Sequence, residues 1–322
     1  MSFLMNKMLR VATGSAWGLV QGLTNVGEAA FCAEFNHDST LLATGSNGTL
    51  NVIDTSDWSL VVDSLDIAVG IIDISFSPDG TMMALAVSSY PYLLVYDTSD
   101  WSKITTPAIS GTSAAYAVDF SPNGDYLAFG HAVAFQNALF ILDTSDWSIL
   151  SNTATATEVC RDVCFNPAGT LLAFSAGFGP YYLKVIDTTD WSELAGIPNF
   201  SDFVTAVQFS PDGSKLVVTN SVSPYISVLE TTGWTNIASI SLIEEAIRDV
   251  DFSTDGSYLA VAHEETPYFS VIDTSDWSLV ADTIELGYFG TSVDFSPNGL
   301  YLAVSEVVSP YVHVIKSEKR TV

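Results

Sequence analysis

One five-residue phrase recurs along the chain at a nearly constant interval. Asp-Thr-Ser-Asp-Trp stands at 54–58, 97–101, 143–147 and 273–277, and variants of it stand at 187–191, 230–234 and 13–17. These copies contain all seven tryptophans, whose spacings are 41, 43, 46, 44, 43 and 43 residues. Such a period is typical of chains that repeat one supersecondary unit. The 322 residues are therefore predicted to form one repetitive domain, although their number alone would suggest two.

A second phrase has the same period and marks a tight turn. It is Phe-Ser-Pro-Asp-Gly or Phe-Ser-Pro-Asn-Gly at 76–80, 120–124, 209–213 and 295–299, with looser copies at 35–39, 165–169 and 252–256. Pro followed by Asp or Asn and then Gly favours a tight reversal of the chain. Short runs of alternating or β-branched residues lie on both sides of the turn, and the Trp of the first phrase begins a further run. Each repeat is thus predicted to contain four short strands.

Four strands joined by tight turns, repeated every 40 to 45 residues, are typical of a propeller blade. The predicted fold class is all-β: a seven-bladed β-propeller of four-stranded antiparallel blades in a single domain over 1–322. The last repeat ends after its third strand, near Ile315, so a strand that begins at Trp17 is predicted to close the last blade. Residues 1–12 have no predicted place. The repeats are predicted near 30–63, 71–106, 115–151, 160–195, 204–239, 247–282 and 290–316, the last completed by 17–23.

The charge of the chain is strongly one-sided. Asp and Glu number 37 against 10 Lys and Arg, which gives a net charge of −27. Nucleic-acid binding requires clustered cations, and anionic membranes attract them too, so neither nucleic acid nor a membrane is expected as a partner. A signal peptide in residues 1–23 is not expected, because its cleavage would remove Trp17 from the repeat. Three cysteines without a disulfide pattern fit synthesis in a reducing cytoplasm, and we expect them to be buried free thiols.

The turns of a propeller alternate between two faces. The face that carries the two repeated phrases, here called the turn face, is predicted to have an acidic rim of 13 aspartates: Asp54, Asp57, Asp79, Asp97, Asp100, Asp143, Asp146, Asp187, Asp190, Asp212, Asp255, Asp273 and Asp276. The connections on the opposite face, the loop face, differ from repeat to repeat. Because binding residues usually lie on loops held by a rigid frame, this face is the predicted partner surface. Its candidate partner-binding residues are Phe135, Phe178, Phe200, Phe203, Tyr288 and Phe289.

The repeated phrases resemble those of WD40 and YVTN-type propellers, over residues 11–316. The Val-Ile-Asp-Thr sequences at 52–55, 185–188 and 271–274 are closer to the YVTN type. Two features depart from WD40: no Gly-His pair recurs at the starts of the blades, and Ile, Tyr or Leu stands where Trp-Asp has Trp. The near-identical repeats are also similar to propellers encoded among the structural genes of tailed phages. That resemblance implies a component of the virion tail, neck or capsid exterior, with other virion proteins as partners.

Few residues suggest chemistry. The tryptophans are interpreted as structural rather than as a sugar-binding ring, and the acidic turns as caps rather than calcium sites, since two carboxylates three residues apart supply too few ligands. Catalytic, phosphate-binding and metal-binding motifs are absent from the sequence, so no catalytic residue, metal or cofactor is predicted. The candidates for an enzyme site lie at the expected central channel: Arg161, Asp162, Arg248, Asp249, His131 and His263. For the arginine–aspartate pairs, ion pairing between blades is the favoured interpretation.

Three functions are compatible with these patterns. The favoured one is a non-enzymatic protein-binding or structural module, which the resemblance to phage propellers implies to be a virion component. The first alternative is an enzyme of the YVTN or lactonase type, which would use the channel candidates. The second is a cytoplasmic interaction hub, as the resemblance to WD40 proteins implies. Fold alone does not decide among them, because one fold supports many functions.

Overall fold

Antiparallel strands are the regular elements of this protein. The computed structural model describes residues 17–23, 29–105, 114–131, 138–150, 159–176, 182–200, 202–241, 246–280, 286–309 and 311–317. The strands in chain order are β1 (Trp17–Leu23), β2 (Cys32–Phe35), β3 (Leu41–Gly45), β4 (Asn47–Asp54), β5 (Leu60–Phe76), β6 (Met82–Val87), β7 (Leu93–Asp97), β8 (Lys103–Ile104), β9 (Ala115–Phe120), β10 (Tyr126–His131), β11 (Leu139–Asp143), β12 (Val163–Phe165), β13 (Leu171–Ser175), β14 (Leu183–Asp187), β15 (Ser192–Glu193), β16 (Val204–Phe209), β17 (Lys215–Asn220), β18 (Ile226–Glu230), β19 (Asn236–Ile240), β20 (Ile247–Phe252), β21 (Tyr258–His263), β22 (Phe269–Asp273), β23 (Ser278–Leu279), β24 (Gly290–Phe295), β25 (Tyr301–Glu306) and β26 (Val312–Ser317). In the described residues, no helix is long and apolar enough to cross a membrane.

The strands form an all-β propeller of antiparallel sheets. Consecutive strands pair in order within the sheets β9–β11, β12–β15, β16–β19 and β20–β23. A longer sheet runs from β2 to β8, because the 17-residue strand β5 pairs with β4 through its first part and with β6 through its second part. The last sheet has the order β1-β26-β25-β24. The same antiparallel pattern therefore repeats from the first sheet to the last, with three strands in β9–β11 and an isolated bridge between Leu142 and Ile149 beside them.

The two ends of the chain meet in one sheet, as the sequence predicts. Strand β1 begins at Trp17 and pairs with β26, placing Leu19 opposite Ile315 and Leu23 opposite Val312. Leu19 also packs on the apolar cluster that contains Val304 and Ile315. The first residues of the described chain thus cover the edge of the last strand.

The apolar core lies between neighbouring sheets. Residues of the second strand in each sheet are almost completely buried, as in Met83 to Val87 of β6. One representative cluster joins Ala84 and Val95 of one sheet to Val118 and Phe129 of the next. Cys32, Cys160 and Cys164 are buried free thiols, as expected.

The two repeated phrases touch each other on the turn face. The Thr98 hydroxyl donates to the Gly80 carbonyl at 2.6 Å, and the Thr98 amide donates to the Thr81 carbonyl at 3.0 Å. The same hydroxyl-to-glycine bond recurs at Thr144, Thr188, Thr231 and Thr274. This bond explains why Thr follows the first acidic residue of the phrase. The two phrases therefore work as one hydrogen-bonded unit.

The acidic residues of these turns cap backbone amides. Asp97 accepts hydrogen bonds from the amide and hydroxyl of Ser99, and Asp100 accepts from the Ser102 amide. These bonds lower the pKa of Asp100 and of its equivalents Asp57, Asp146, Asp190 and Asp276, the hydrogen bond of the following serine being the largest cause. The turn face consequently keeps its negative charge near neutral pH.

The six tryptophans whose burial the structure describes, from Trp58 to Trp277, are structural but only half-buried. Trp58 and Trp101 have φ values near +60°, and each donates its backbone amide to the carbonyl of the residue four positions earlier. Trp58 packs edge-on against Tyr301 of the neighbouring sheet, with 5.2 Å between ring centroids. The left-handed backbone thus directs the indole across the boundary between two sheets.

We expect the melting temperature to rise with NaCl, because the exposed carboxylates of the turn face repel one another. Salt shortens the screening length from about 10 Å at 0.1 M to about 3 Å at 1 M. Differential scanning fluorimetry in NaCl and in choline chloride at equal ionic strength measures the effect. Equal rises in both salts support charge repulsion, and a flat response contradicts it. A rise with sub-millimolar CaCl₂ alone would instead show cation binding in the turns.

Candidate functional site

A channel of about 1130 Å³ runs through the centre of the propeller. It is lined by the inner strands, which are β2, the second part of β5, β9, β12, β16, β20 and β24. These strands neighbour one another in that order, and β24 returns to β2. Each inner strand ends at a Phe that precedes the turn face: Phe35, Phe76, Phe120, Phe165, Phe209, Phe252 and Phe295. The start of each inner strand therefore lies at the loop face.

Polar side chains in the channel tie each inner strand to the next. On five of the seven inner strands, the residue just before the terminal Phe accepts a hydrogen bond from the backbone amide of the terminal Phe on the neighbouring strand. The bonds are Glu34 with Phe76 (3.2 Å), Ser75 with Phe120 (3.2 Å), Asp119 with Phe165 (2.7 Å), Asp251 with Phe295 (2.7 Å) and Asp294 with Phe35 (2.5 Å). At the same level on the other two strands, Cys164 bonds to Gln208 and Gln208 bonds to Asp251. We call these residues the lower tie layer. Buried amides that would otherwise lack partners are thereby satisfied.

A second set of ties lies two residues closer to the loop face. Asp73 accepts from the Val118 amide at 2.8 Å, Asp162 from Val207 at 2.6 Å, and Asp249 from Val293 at 2.9 Å. The other oxygen of each carboxyl accepts the amide of the next residue in its own strand. The expectation that Asp162 and Asp249 form ion pairs between blades is therefore wrong. Their partners across the boundary are backbone amides, because an edge amide of the next strand faces each carboxyl.

Burial raises the pKa of every one of these channel carboxyls. Desolvation is the largest cause at each site, and the pKa reaches about 7 at Asp73, about 8 at Asp119 and Asp249, and about 6 at Asp251. The pKa values of Glu34, Asp162 and Asp294 are also raised well above their ordinary range. Part of the acidity of the channel wall is consequently neutralised near pH 7.

The mouth of the channel at the loop face carries a third layer. It consists of the residues four positions before each terminal Phe: Phe31, Ile72, Tyr116, Arg161, Thr205, Arg248 and Thr291. We call this set the mouth layer. The strand register shifts at or beside Ile72, Thr205, Arg248 and Thr291. Such bulges re-aim side chains, which explains how Arg248 and the adjacent Asp249 can both line the channel.

The two arginines of the mouth layer differ in their partners. Arg248 forms an ion pair with Glu264, its Nε lying 2.8 Å from Oε1, and its guanidinium carbon lies 5.7 Å from the centroid of the Phe289 ring. The guanidinium carbon of Arg161 lies 5.6 Å from the centroid of the Tyr116 ring. In the part of the chain that the structure describes, Arg161 has no ion-pair partner.

The structure places His131 and His263 away from the channel, so these two residues are not brought together with the arginines. Both imidazoles are buried at the ends of second strands. His131 lies among aromatic rings, with 5.0 Å to the Tyr92 centroid, and His263 shares a 2.9 Å hydrogen bond with Ser270. The prediction that they lie at the channel mouth was wrong, because the second strand of each sheet lies one strand farther from the channel axis than the inner strand. Burial lowers both pKa values, to about 4 at His263.

The candidate partner-binding aromatics fall into three groups. Phe135 and Phe178 lie outside the described residues. Phe200 packs on the buried cluster around Leu183 and Val204, and Phe203 lines the channel beside Tyr182. Tyr288 is 45% exposed and packs on Phe289, with 4.7 Å between centroids. Tyr288 and Phe289 therefore extend the arginine side of the mouth layer outward.

Three exposed or half-buried aromatics near this surface were missed by the sequence reasoning. Phe31 and Tyr116 belong to the mouth layer, and Tyr90 is 66% exposed in the loop after β6. Phe31 and Tyr116 each stand four positions before the terminal Phe of an inner strand, as Arg161 and Arg248 do. This shared spacing is the signal in the sequence that could have identified them. The partner-binding assignment itself stays a prediction.

Comparisons with known proteins agree with the fold. The family described as "WD domain, G-beta repeat" matches residues 25–54. WD repeat and SOCS box-containing protein 1 of Takifugu rubripes is 30% identical over 95 residues, which are 29% of this chain and 22% of that protein. The Danio rerio protein of that name is 27% identical over 119 residues, or 34% and 28% of the two chains. The chain thus matches less than a third of the length of these curated relatives.

A solved structure extends the likeness to nearly the whole chain. Kuenenia stuttgartiensis hydrazine synthase superimposes with a TM-score of 0.75 and 16% identity, covering 90% of this chain and 96% of that one. At this identity the likeness concerns the fold alone. The chain is a β-propeller in which residues 25–54 match a WD40 repeat.

Proposed function

We propose that this WD40-like propeller has seven blades and binds a protein partner through the loop face around the channel mouth, without catalysing a reaction. The observation that carries the proposal is the mouth layer, where aromatic and cationic side chains lie together on loops of a rigid frame. The blade number is supported by the ring of inner strands, in which Asp294 of the last ties to Phe35 of the first.

The carboxyls that an enzyme would need support the non-enzymatic part of the proposal. Both oxygens of Asp162 and Asp249 accept backbone amides at 2.6 to 2.9 Å. Amide bonds to both oxygens fix each carboxyl within the wall of the channel, which suits a structural role better than that of a general base, which must reach a substrate proton. These aspartates hold the ring together, and in the proposed function that is their role.

The cellular setting is a finer proposal. We propose synthesis in the cytoplasm, followed either by assembly into a tailed-phage virion or by service as an interaction hub. The repeat resemblance supports the virion, and the WD40-like repeat is compatible with the hub. Mass spectrometry of purified particles, together with the genes flanking this one, separates the two settings. Absence from particles whose other proteins are all detected would contradict the virion.

The binding surface is tested with a display library of short random peptides selected on the immobilised protein. Tyr288→Ala combined with Val308→Ala removes two exposed apolar groups from the loop face, and we expect selected peptides to lose about tenfold or more in affinity, as for central interface anchors. The matched control is Leu279→Ala with Leu300→Ala, which removes similarly exposed groups beside the turns. Loss on the control instead would place the binding surface on the turn face and overturn the proposal.

A further inference from the structure

Both arginines in the described part of the chain lie in the mouth layer. Arg161 precedes β12 and Arg248 is on β20, each four positions before a terminal Phe. The other described cations, Lys103, Lys184, Lys215 and Lys316, do not line the channel. In a chain with a net charge of −27, two arginines at equivalent positions of one cavity are a local exception to the overall charge.

The mouth layer is divided into two chemically different halves. In order around the ring, Phe31, Ile72 and Tyr116 form an apolar half. Arg161, Thr205, Arg248 and Thr291 follow them and form a half of cations and hydroxyls. Because neighbouring inner strands supply neighbouring members, each half is a continuous arc. A ligand that spans the mouth therefore meets an apolar surface on one side and hydrogen-bond donors on the other.

The donor half is accessible and positioned. Arg161 and Arg248 are exposed, and the side chain of Arg248 is 51% accessible despite its pair with Glu264. The rings of Tyr116 and Phe289 lie beside the two guanidinium groups and limit their freedom without using their hydrogen bonds. The carboxyls nearest to them along the chain, Asp162 and Asp249, are bound to backbone amides.

From this arrangement we propose that the channel mouth binds an acidic segment of a partner protein, in which a carboxylate side chain lies between Arg161 and Arg248 and an adjacent apolar side chain packs on Phe31, Ile72 and Tyr116. Guanidinium groups match carboxylates through paired, charge-assisted hydrogen bonds, which suits this occupant better than a neutral one. The Thr291 hydroxyl donates to the Ala30 carbonyl and the Thr205 hydroxyl is bonded to that of Thr219, so the two guanidinium groups are the donors that the proposed carboxylate would use. The proposal rests on the proposed function and names the chemistry of its partner.

The test uses the same peptide library, displayed with blocked carboxyl termini, and the full chain. We expect selected peptides to be enriched in Asp or Glu next to Leu, Ile, Val or Phe. Synthetic copies of one such peptide, with the acidic residue intact or replaced by its amide, are then measured by fluorescence anisotropy. We expect Arg161→Gln with Arg248→Gln to weaken the acidic peptide at least tenfold, and the amide copy to bind both proteins equally weakly. Lys103→Gln with Lys316→Gln removes the same charge elsewhere and should leave affinity unchanged.

Each other result decides against the inference in a distinguishable way. Some selected peptides are expected to depend on Tyr288 and Val308 for binding. If these peptides are neutral, or if the two arginine substitutions do not change their affinity, the proposal of an acidic partner segment is wrong and the proposed function still stands. If the lysine control variant weakens peptide binding as much as the arginine variant does, the effect is one of general charge, and the proposed arginine site is wrong. Binding only by peptides with a free terminal carboxylate overturns the side-chain occupant. A library without any loop-face-dependent peptide overturns the inference and the proposed function together.

Discussion

A chain that lacks residues 1–23 should melt at least about 5 °C lower than the intact chain and should associate with other copies of itself. The deletion removes β1, exposes the backbone groups of β26 and takes Leu19 from the cluster around Val304 and Ile315. Unpaired sheet edges template association with other chains. For a domain of this size, several kcal/mol of lost stability correspond to a fall of about 5 to 10 °C. Calorimetry and size-exclusion chromatography measure the two effects.

A synthetic peptide of residues 15–24 provides the control for this deletion. If β1 acts by pairing with β26, the added peptide should raise the melting temperature of the truncated chain and return it to the monomer, since a peptide can add as a strand to an open edge. The same peptide with Leu19→Asp should do so less well, because Leu19 packs on the last sheet. A truncated chain that stays monomeric with an unchanged melting temperature would show that β1 does not close the ring.

The second large effect concerns pH. The channel carboxyls have raised pKa values, about 8 at Asp119, so the folded chain binds more protons than the unfolded chain above pH 4. Stability therefore falls as pH rises from about 4 to 8. His131 and His263 act in the opposite sense, because their lowered pKa values make the unfolded chain bind more protons below about pH 6.5. Because seven channel carboxyls outweigh two imidazoles, we expect maximal stability near pH 4 to 5 and a decline toward pH 9.

Asp119→Asn and Asp294→Asn test the cause of that decline. Each of these residues accepts one backbone amide through one oxygen, so an amide side chain can keep the hydrogen bond without becoming charged. We expect Asp119→Asn to add about 1 to 3 kcal/mol at pH 8, less than the full shift implies because the channel admits solvent, and Asp294→Asn to change stability in the same direction. The gain should vanish near pH 4. Denaturant unfolding at the two pH values measures it.

Asp146→Asn is the matched control, since Asp146 is a capping residue of the turn face. Its pKa is lowered by hydrogen bonds with Ser148, so its contribution is present above about pH 4 and lost as the pH falls. The control should therefore stabilise at no pH. If the difference in unfolding free energy between each channel variant and the unsubstituted chain is the same at pH 4 and at pH 8, ionisation in the channel does not limit stability.

The sequence predicted those parts of the fold that depend on local chemistry. The phrase at 97–101 and the turn at 76–80 marked two reversals on one face, and the structure joins them through Thr98. The closing strand at Trp17 was also predicted, because the period left the last repeat one strand short. Both inferences needed only spacing and turn chemistry.

The channel was predictable only in part. Arg161 and Arg248 were found because their repeats match, but the partner of Asp162 is an amide of Val207, 45 residues away, which no local pattern marks. The repeat spacing predicted His131 near the channel mouth, whereas it lies on the second strand of its sheet and does not line the channel. Phe200 was predicted to be a partner-binding residue of the loop face, and tertiary packing buries part of it. These differences arise wherever contact between repeats, rather than within one, decides the position.

The bulges at the start of the inner strands assign strand pairing and recognition at the channel opening to different residues. A residue at a bulge is left out of the regular ladder, so its identity matters little to strand pairing. Ile72, Thr205, Arg248 and Thr291 occupy this position with unrelated side chains on the same frame. The propeller can thus exchange the residues around its opening one at a time while its ties stay intact. Recognition could diversify in such a chain, by evolution or by selection from libraries, at little cost to folding.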